Sequence, residues 1–144
     1  MKSIKTIEPR FAETDQMGII HHSVYPIWYE IGRLKFCQDM GMPYTEIIKH
    51  EINMALIHLD VDYIKPVRLD DLITIETTLI EMSKVKMVFA YEIYTKDHVL
   101  VNRGSTKLAW LDQHLKPLNL QKSLPHIYAH FSQVVTKIDH RVNQ

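Results

Sequence analysis

The sequence predicts an α+β fold in which an antiparallel sheet wraps around one long central helix, and three observations predict it. A single stretch of helical character, from about Ser23 to Met40, carries apolar residues around most of its circumference and must be buried on several sides. Beyond it the apolar period changes to two over several consecutive segments, the mark of strands with one face on a core. Short connections join those segments, which argues for antiparallel neighbours.

The elements follow in order. Ser3 to Phe11 reads as a first strand, leading into a loop that carries Asp15 and has Gly18 as its flexible point. The long helix comes next, with Ile27, Trp28, Tyr29, Ile31, Leu34, Phe36, Cys37 and Met40 as its apolar members and Gly41 and Pro43 as its stop. Pro26 suits its first turn, where backbone N–H groups have no intrahelical partner. Pro43 to Lys49 predicts a short second helix, and Met54 to Tyr63 a strand ended by Lys65-Pro66. Ile73, Ile75, Thr77 and Leu79 alternate in the next strand. Val85, Met87, Phe89, Tyr91 and Ile93 alternate with Lys84, Lys86, Val88, Ala90 and Glu92 in the one after, and Val99 to Leu111 supplies another. Ser123 to Phe131 predicts a terminal helix, with the last dozen residues mobile. Such a sheet leaves an edge and such a helix an uncovered apolar half, so dimerisation through the sheets is expected.

The 144 residues fit one domain spanning 1–144, with a core over about residues 3–131, and the 46% hydrophobic content supplies that core without disulfide or metal. Seventeen basic residues balance seventeen acidic ones, so no global field favours nucleic acid or an anionic membrane, and an anionic ligand must meet a local cluster. Cys37 is the only cysteine, which excludes an intramolecular disulfide. Its helical position between Phe36 and Gln38 predicts a packed structural thiol. Met1 to Lys5 leads straight into strand-like sequence with no stretch of signal-peptide or membrane-spanning length, so a cytoplasmic location is expected.

The chemistry concentrates in Arg10 to Glu30, read as a strand, a loop with one carboxylate and the first turn of a helix. That order sets Asp15 beside unpaired N–H groups, where partial positive charge steadies an oxyanion or a polarised carbonyl, as acyl transfer requires. The run Thr14-Asp15-x-x-Gly18-Ile19-Ile20-x-His22-x-x-Tyr25, followed by an aromatic pair and Glu30, resembles the hotdog-fold acyl-CoA thioesterases of the 4-hydroxybenzoyl-CoA thioesterase type. Two further blocks, Val61 to Ile73 and Gly104 to Asp112, resemble that family's strand and turn before its central sheet and its last long strand. The resemblance spans about residues 5 to 125.

The resemblance implies hydrolysis of acyl-CoA thioesters. Asp15 would be nucleophile or general base, and the N–H of His22 would polarise the thioester carbonyl. The His22 imidazole matches a histidine of a bacterial short-chain subgroup, where it would orient water or move a proton. Gly18, Ser23 and Tyr25 would line the substrate site, Tyr25 by packing or orienting the loop. The pattern is departed from in three places. Phe11 stands where a tyrosine is frequent, Met17 replaces a small residue and reshapes the acyl pocket, and Val24 takes an asparagine position, leaving Ser23 as the expected cap.

Lys84 and Lys86, with Arg68, are the expected contacts for coenzyme A phosphates, and Lys65, Arg103 and Lys107 are further candidates; period-two lysines also serve simply as a solvated face. No metal is expected, since the histidines offer no recognised ligand spacing, and no cofactor beyond the coenzyme A of the substrate. There is no Gly-x-Ser-x-Gly elbow and no phosphate-cradling glycine loop. The expected assembly is a homodimer or homotetramer with sites between subunits. Acyl carrier protein in place of coenzyme A is an alternative reading of the same fold, and a non-catalytic acyl-thioester binder is an alternative of another class.

Overall fold

In the computed structural model, which describes residues 1–137, one five-stranded antiparallel sheet curves around one long helix. The strands are β1 (Lys2–Ile7), β2 (Asn53–Tyr63), β3 (Ile73–Met82), β4 (Lys86–Thr95) and β5 (Leu100–Leu111), in spatial order β1-β3-β4-β5-β2. The helix α1 (Tyr25–Asp39) lies across the concave face, preceded by a single 3-10 turn, His22–Val24. Short helices α2 (Tyr44–Ile47) and α3 (Leu120–Ser123) and a longer α4 (Pro125–Val134) complete the chain.

The alternation read in the sequence appears as alternating burial. Ile73, Ile75, Thr77 and Leu79 of β3 and Met87, Phe89, Tyr91 and Ile93 of β4 turn inward. Against them α1 buries Tyr25, Trp28, Tyr29, Gly32, Phe36 and Cys37, spaced by three, four and seven as one helical face requires. Phe36 meets Phe89 edge-on at 5.4 Å between ring centres, and Tyr29 stacks on Tyr91 at 4.4 Å. Gly104 on β5 permits this approach, because a Cβ there would overlap the Asp60 carbonyl oxygen and lie 2.5 Å from the Tyr29 hydroxyl.

Several expectations need correction. The first strand stops at Ile7, and Phe11–Glu13 forms a 3-10 turn in its place, held by Glu13 N–H donating to Arg10 O at 2.9 Å. Within one chain α1 is buried on one face only. Ile27 and Leu34 remain 52% and 42% exposed because the sheet covers a single side of the helix. The expected terminal helix starts at Pro125 rather than Ser123 and runs to Val134, because Pro125 lacks an N–H and suits a first turn, while Ser123 ends a separate short α3. Of the last dozen residues, Thr136 donates its N–H to Leu79 O at 2.8 Å, continuing the edge of β3, while residues 138–144 lie outside the described ones.

The edge strand β2 carries Leu56, Ile57 and Leu59, each exposed by more than a third, and a bulge between Leu56 and His58. It forms the longer of the two sheet edges, and the six-residue β1 forms the other.

Candidate active site

Asp15 sits in a hairpin built by local chemistry. Asp15 N–H donates to Ile19 O at 2.8 Å and Gly18 N–H to Asp15 O at 3.1 Å, the pattern of a three-residue loop that needs a left-handed residue at its last position. Gly18 supplies it, with φ +78°. Two further bonds pin the hairpin, His21 N–H to Glu13 O at its neck and Ile20 N–H to Val67 O on the segment after β2, both 2.8 Å. Within this frame Asp15 Oδ1 accepts the Met17 N–H at 2.7 Å and the Ile19 N–H at 3.4 Å. Oδ2 has no hydrogen-bond partner among the described residues. One carboxylate oxygen is therefore anchored and the other is available.

The start of α1 brings the complementary donor. His21, not Ser23, is the cap: its Nδ1 accepts the Ser23 N–H at 3.2 Å and lies 2.8 Å from the Ser23 hydroxyl. The expected capping role of Ser23 fails because its hydroxyl is bound to His21 Nδ1 and Pro26, three residues on, has no N–H to offer. Ser23 itself is exposed and bound to His21. The His22 N–H has no acceptor among the described residues, as first-turn donors commonly do not. The His22 carbonyl accepts the Tyr63 hydroxyl at 2.8 Å, which ties the helix start to the end of β2. The exposed His22 ring lies against His21, with centroids 4.1 Å apart.

These groups border a cleft of about 410 Å³ lined by Asp15, Met17, His22, Tyr25, Tyr63 and Lys65 among others. Asp15, His22 and Tyr25 thus meet at one place, and Gly18 shapes the loop that brings them there. Tyr25 forms the buried wall, its ring edge-on to both Trp28 and Tyr63. Burial, and then the neighbouring Tyr63, pushes its phenol up to about 12, so it stays neutral. Met17 stands at the rim, 73% exposed.

The expected phosphate contacts divide. Arg68 lies beside the Asp15 loop, its backbone bridged to Ile19, and Lys65 lines the cleft directly. Lys84 and Lys86 do not join them within one chain. Lys86 pairs with Ala109, whereas the cleft is at the Tyr63–Asn102 end of the sheet. Seven residues of β5 separate the two ends, about 23 Å at 3.3 Å per residue.

Two contributors were not singled out as site residues from the sequence. Tyr63 reads there only as the last residue of a strand, and Glu13 as one more polar residue before the loop. Among the described residues no group of three or more His, Cys, Asp or Glu is arranged to hold a metal ion, and no helix is long and apolar enough to cross a membrane.

Residues 9–134 match the thioesterase-like superfamily. The chain is 31% identical over 124 residues to the Bacillus subtilis protein named "Putative acyl-CoA thioesterase YneP", covering 85% of this chain and 90% of that one. It is 27% identical to the acyl-CoA thioester hydrolase YbgC of Escherichia coli over the same shares. The crystal structure of a DHNA-CoA thioesterase from Staphylococcus aureus superposes with a TM-score of 0.89 at 32% identity, covering 92% of this chain and 90% of that one.

Proposed function

Because the chain belongs to the thioesterase-like superfamily, we propose that it is a thioester hydrolase that cleaves acyl-CoA into a free acid and coenzyme A. The observation that carries this reading is the pairing in one cleft of a half-anchored carboxylate, Asp15, with an unpaired backbone donor at a helix start, His22 N–H. Within the superfamily the reading favours the 4-hydroxybenzoyl-CoA thioesterase type, since the acid precedes the long helix.

The thioester carbonyl oxygen points at the His22 N–H, where the helix start stabilises negative charge as the carbon becomes tetrahedral. Asp15 Oδ2 drives that step by attacking the carbon itself or by taking a proton from a water that attacks. Collapse of the intermediate breaks the C–S bond and releases coenzyme A as the thiolate. On the water route the proton held by Asp15 then passes to sulfur or solvent. On the direct route a water hydrolyses the acyl anhydride and restores the carboxylate. The His22 imidazole, with no hydrogen-bond partner among the described residues, orients the water at the cleft mouth. No cofactor beyond the substrate's own coenzyme A takes part.

The reading includes a homodimer or a dimer of dimers in the cytoplasm. Pairing of β2 with β2 of a second copy extends the sheet and covers Leu56 and Leu59, and it covers the Ile27 and Leu34 flank of α1. Being antiparallel, that pairing swaps the sheet ends, the arrangement in which Lys84 and Lys86 approach the cleft of the other copy. Lys65 and Arg68 then serve the phosphates from the same chain.

A panel of acyl-CoAs differing in chain length and ring content, followed by release of free thiol, tests the activity. Turnover of at least one class supports the reading. Tight binding of acyl-CoA without thiol release contradicts it and favours a binder, and release only from acyl carrier protein replaces the carrier.

A further inference from the structure

Glu13 is the one acidic residue buried among the described residues, 6% exposed, and the hydrolytic chemistry above does not use it. Its two oxygens take different donors. Oε1 accepts the Arg10 N–H at 2.7 Å, with the Arg10 guanidinium 3.6 Å away, and Oε2 accepts the indole N–H of Trp28 at 3.1 Å. Its carbonyl oxygen accepts the His21 N–H at 2.8 Å. One residue therefore grips the start of the turn before the Asp15 hairpin, the segment that follows the hairpin and the buried face of α1.

Stability alone is a weak reason for this arrangement. Withdrawing a carboxylate from water costs free energy that a packed apolar side chain of similar size would not. What the carboxylate adds is geometry. Asp15 lies two residues after Glu13 and His22 one residue after His21, so the Glu13–Trp28 bond and the Glu13–His21 bond together fix the span between the carboxylate and the helix-start donor. Trp28, 1% exposed and wedged edge-on against Tyr25, cannot move without moving the cleft wall.

We infer that Glu13 and Trp28 form a positioning pair that sets the Asp15 carboxylate against the His22 N–H, acting on the rate of hydrolysis rather than on substrate binding. This rests on the thioesterase reading given above. Glu13→Gln is the sharper variant, because an amide offers one accepting oxygen where two N–H donors converge and turns an NH₂ toward the other. Trp28→Phe removes the donor while keeping an aromatic ring, and serves should the first variant fail to fold.

Steady-state hydrolysis, binding of a non-hydrolysable thioether analogue of acyl-CoA, and amide hydrogen exchange over residues 15–20 are measured on both variants. The expected result is a fall in kcat of about 10- to 100-fold, since a displacement near 1 Å at a reacting group costs on that order. KM and analogue affinity stay within about twofold and exchange in the hairpin accelerates. Variants that melt earlier yet keep kcat per folded molecule, or that lose analogue binding in proportion to rate, overturn the assignment. If the wild-type protein cleaves no thioester, the functional reading fails by itself. Exchange in the hairpin still decides the brace, and unchanged protection in both variants rejects it.

Discussion

Replacing Tyr63 with Phe removes one hydroxyl and leaves the ring edge-on to Tyr25 at 5.4 Å. The lost contact is the 2.8 Å hydrogen bond to the His22 carbonyl. A hydrogen bond of this kind nets about 0.5–1.5 kcal/mol. Tyr63 is 54% exposed, so water reaches the freed carbonyl and the cost falls at the lower end, about 0.5 kcal/mol. For a domain of this size that is a drop of about 1–2 °C in Tm. The effect on rate should be larger. On the proposed mechanism the His22 N–H is the donor for the developing oxyanion, and the tied His22 carbonyl belongs to the next peptide unit, one Cα away. Losing the Tyr63 hydroxyl therefore frees one side of that donor, while the His21 bond to Glu13 and the His21 cap hold the other. A loss of about tenfold in kcat, equivalent to about 1.4 kcal/mol, is expected with KM little changed. Thiol release under saturating acyl-CoA, alongside a thermal melt, gives both numbers. A variant that loses several degrees but keeps its kcat would refute the reasoning, because Tyr63 would then be a packing residue only.

Gly104→Ala forces a methyl into the Asp60 carbonyl and against Tyr29, and should destabilise by about 3 kcal/mol, read as an earlier urea midpoint. The Cys37 thiol is pushed up to about 12 by burial, with Arg33 opposing, so it should stay protonated and unreactive toward a disulfide reagent at neutral pH until the chain unfolds. The Asp39 carboxyl is held below its ordinary range by the hydrogen bond from Lys35 and then by that from Ser3. A lowered folded value means stability present above the unfolded value, about pH 4, and lost as pH falls through the folded one, so Asp39→Asn should flatten the acid limb of a stability profile. Met17→Ala at the exposed rim should leave Tm within about 1 °C while shifting the preferred acyl length, which the substrate panel reads.

The fold was legible where one physical signal dominated. Met87, Phe89, Tyr91 and Ile93 alternate because one face of β4 is buried, and the burial of Trp28, Tyr29 and Phe36 follows the helical period. What escaped depends on distances between segments far apart in the chain. Ser23 is a good cap by residue type, yet its hydroxyl turns back to the His21 ring, which residue type does not decide. Lys84 and Lys86 look like a phosphate site by charge, but the strand register puts them at the far end of their own chain's sheet, so which cleft they face depends on a second copy, and local sequence does not carry that. Glu13 and Tyr63 act through Trp28 and His22, 15 and 41 residues away, and no local pattern marks such pairs.

If the free oxygen of Asp15 drives thioester cleavage, Asp15→Asn removes the driving group and little else. Asparagine keeps an accepting oxygen for the Met17 N–H, so the hairpin and the melting temperature should survive. With the basic oxygen gone, kcat on the best acyl-CoA should fall by about 100-fold or more at unchanged fold. A well-folded Asp15→Asn protein that hydrolyses acyl-CoA at close to the wild-type rate would contradict the account.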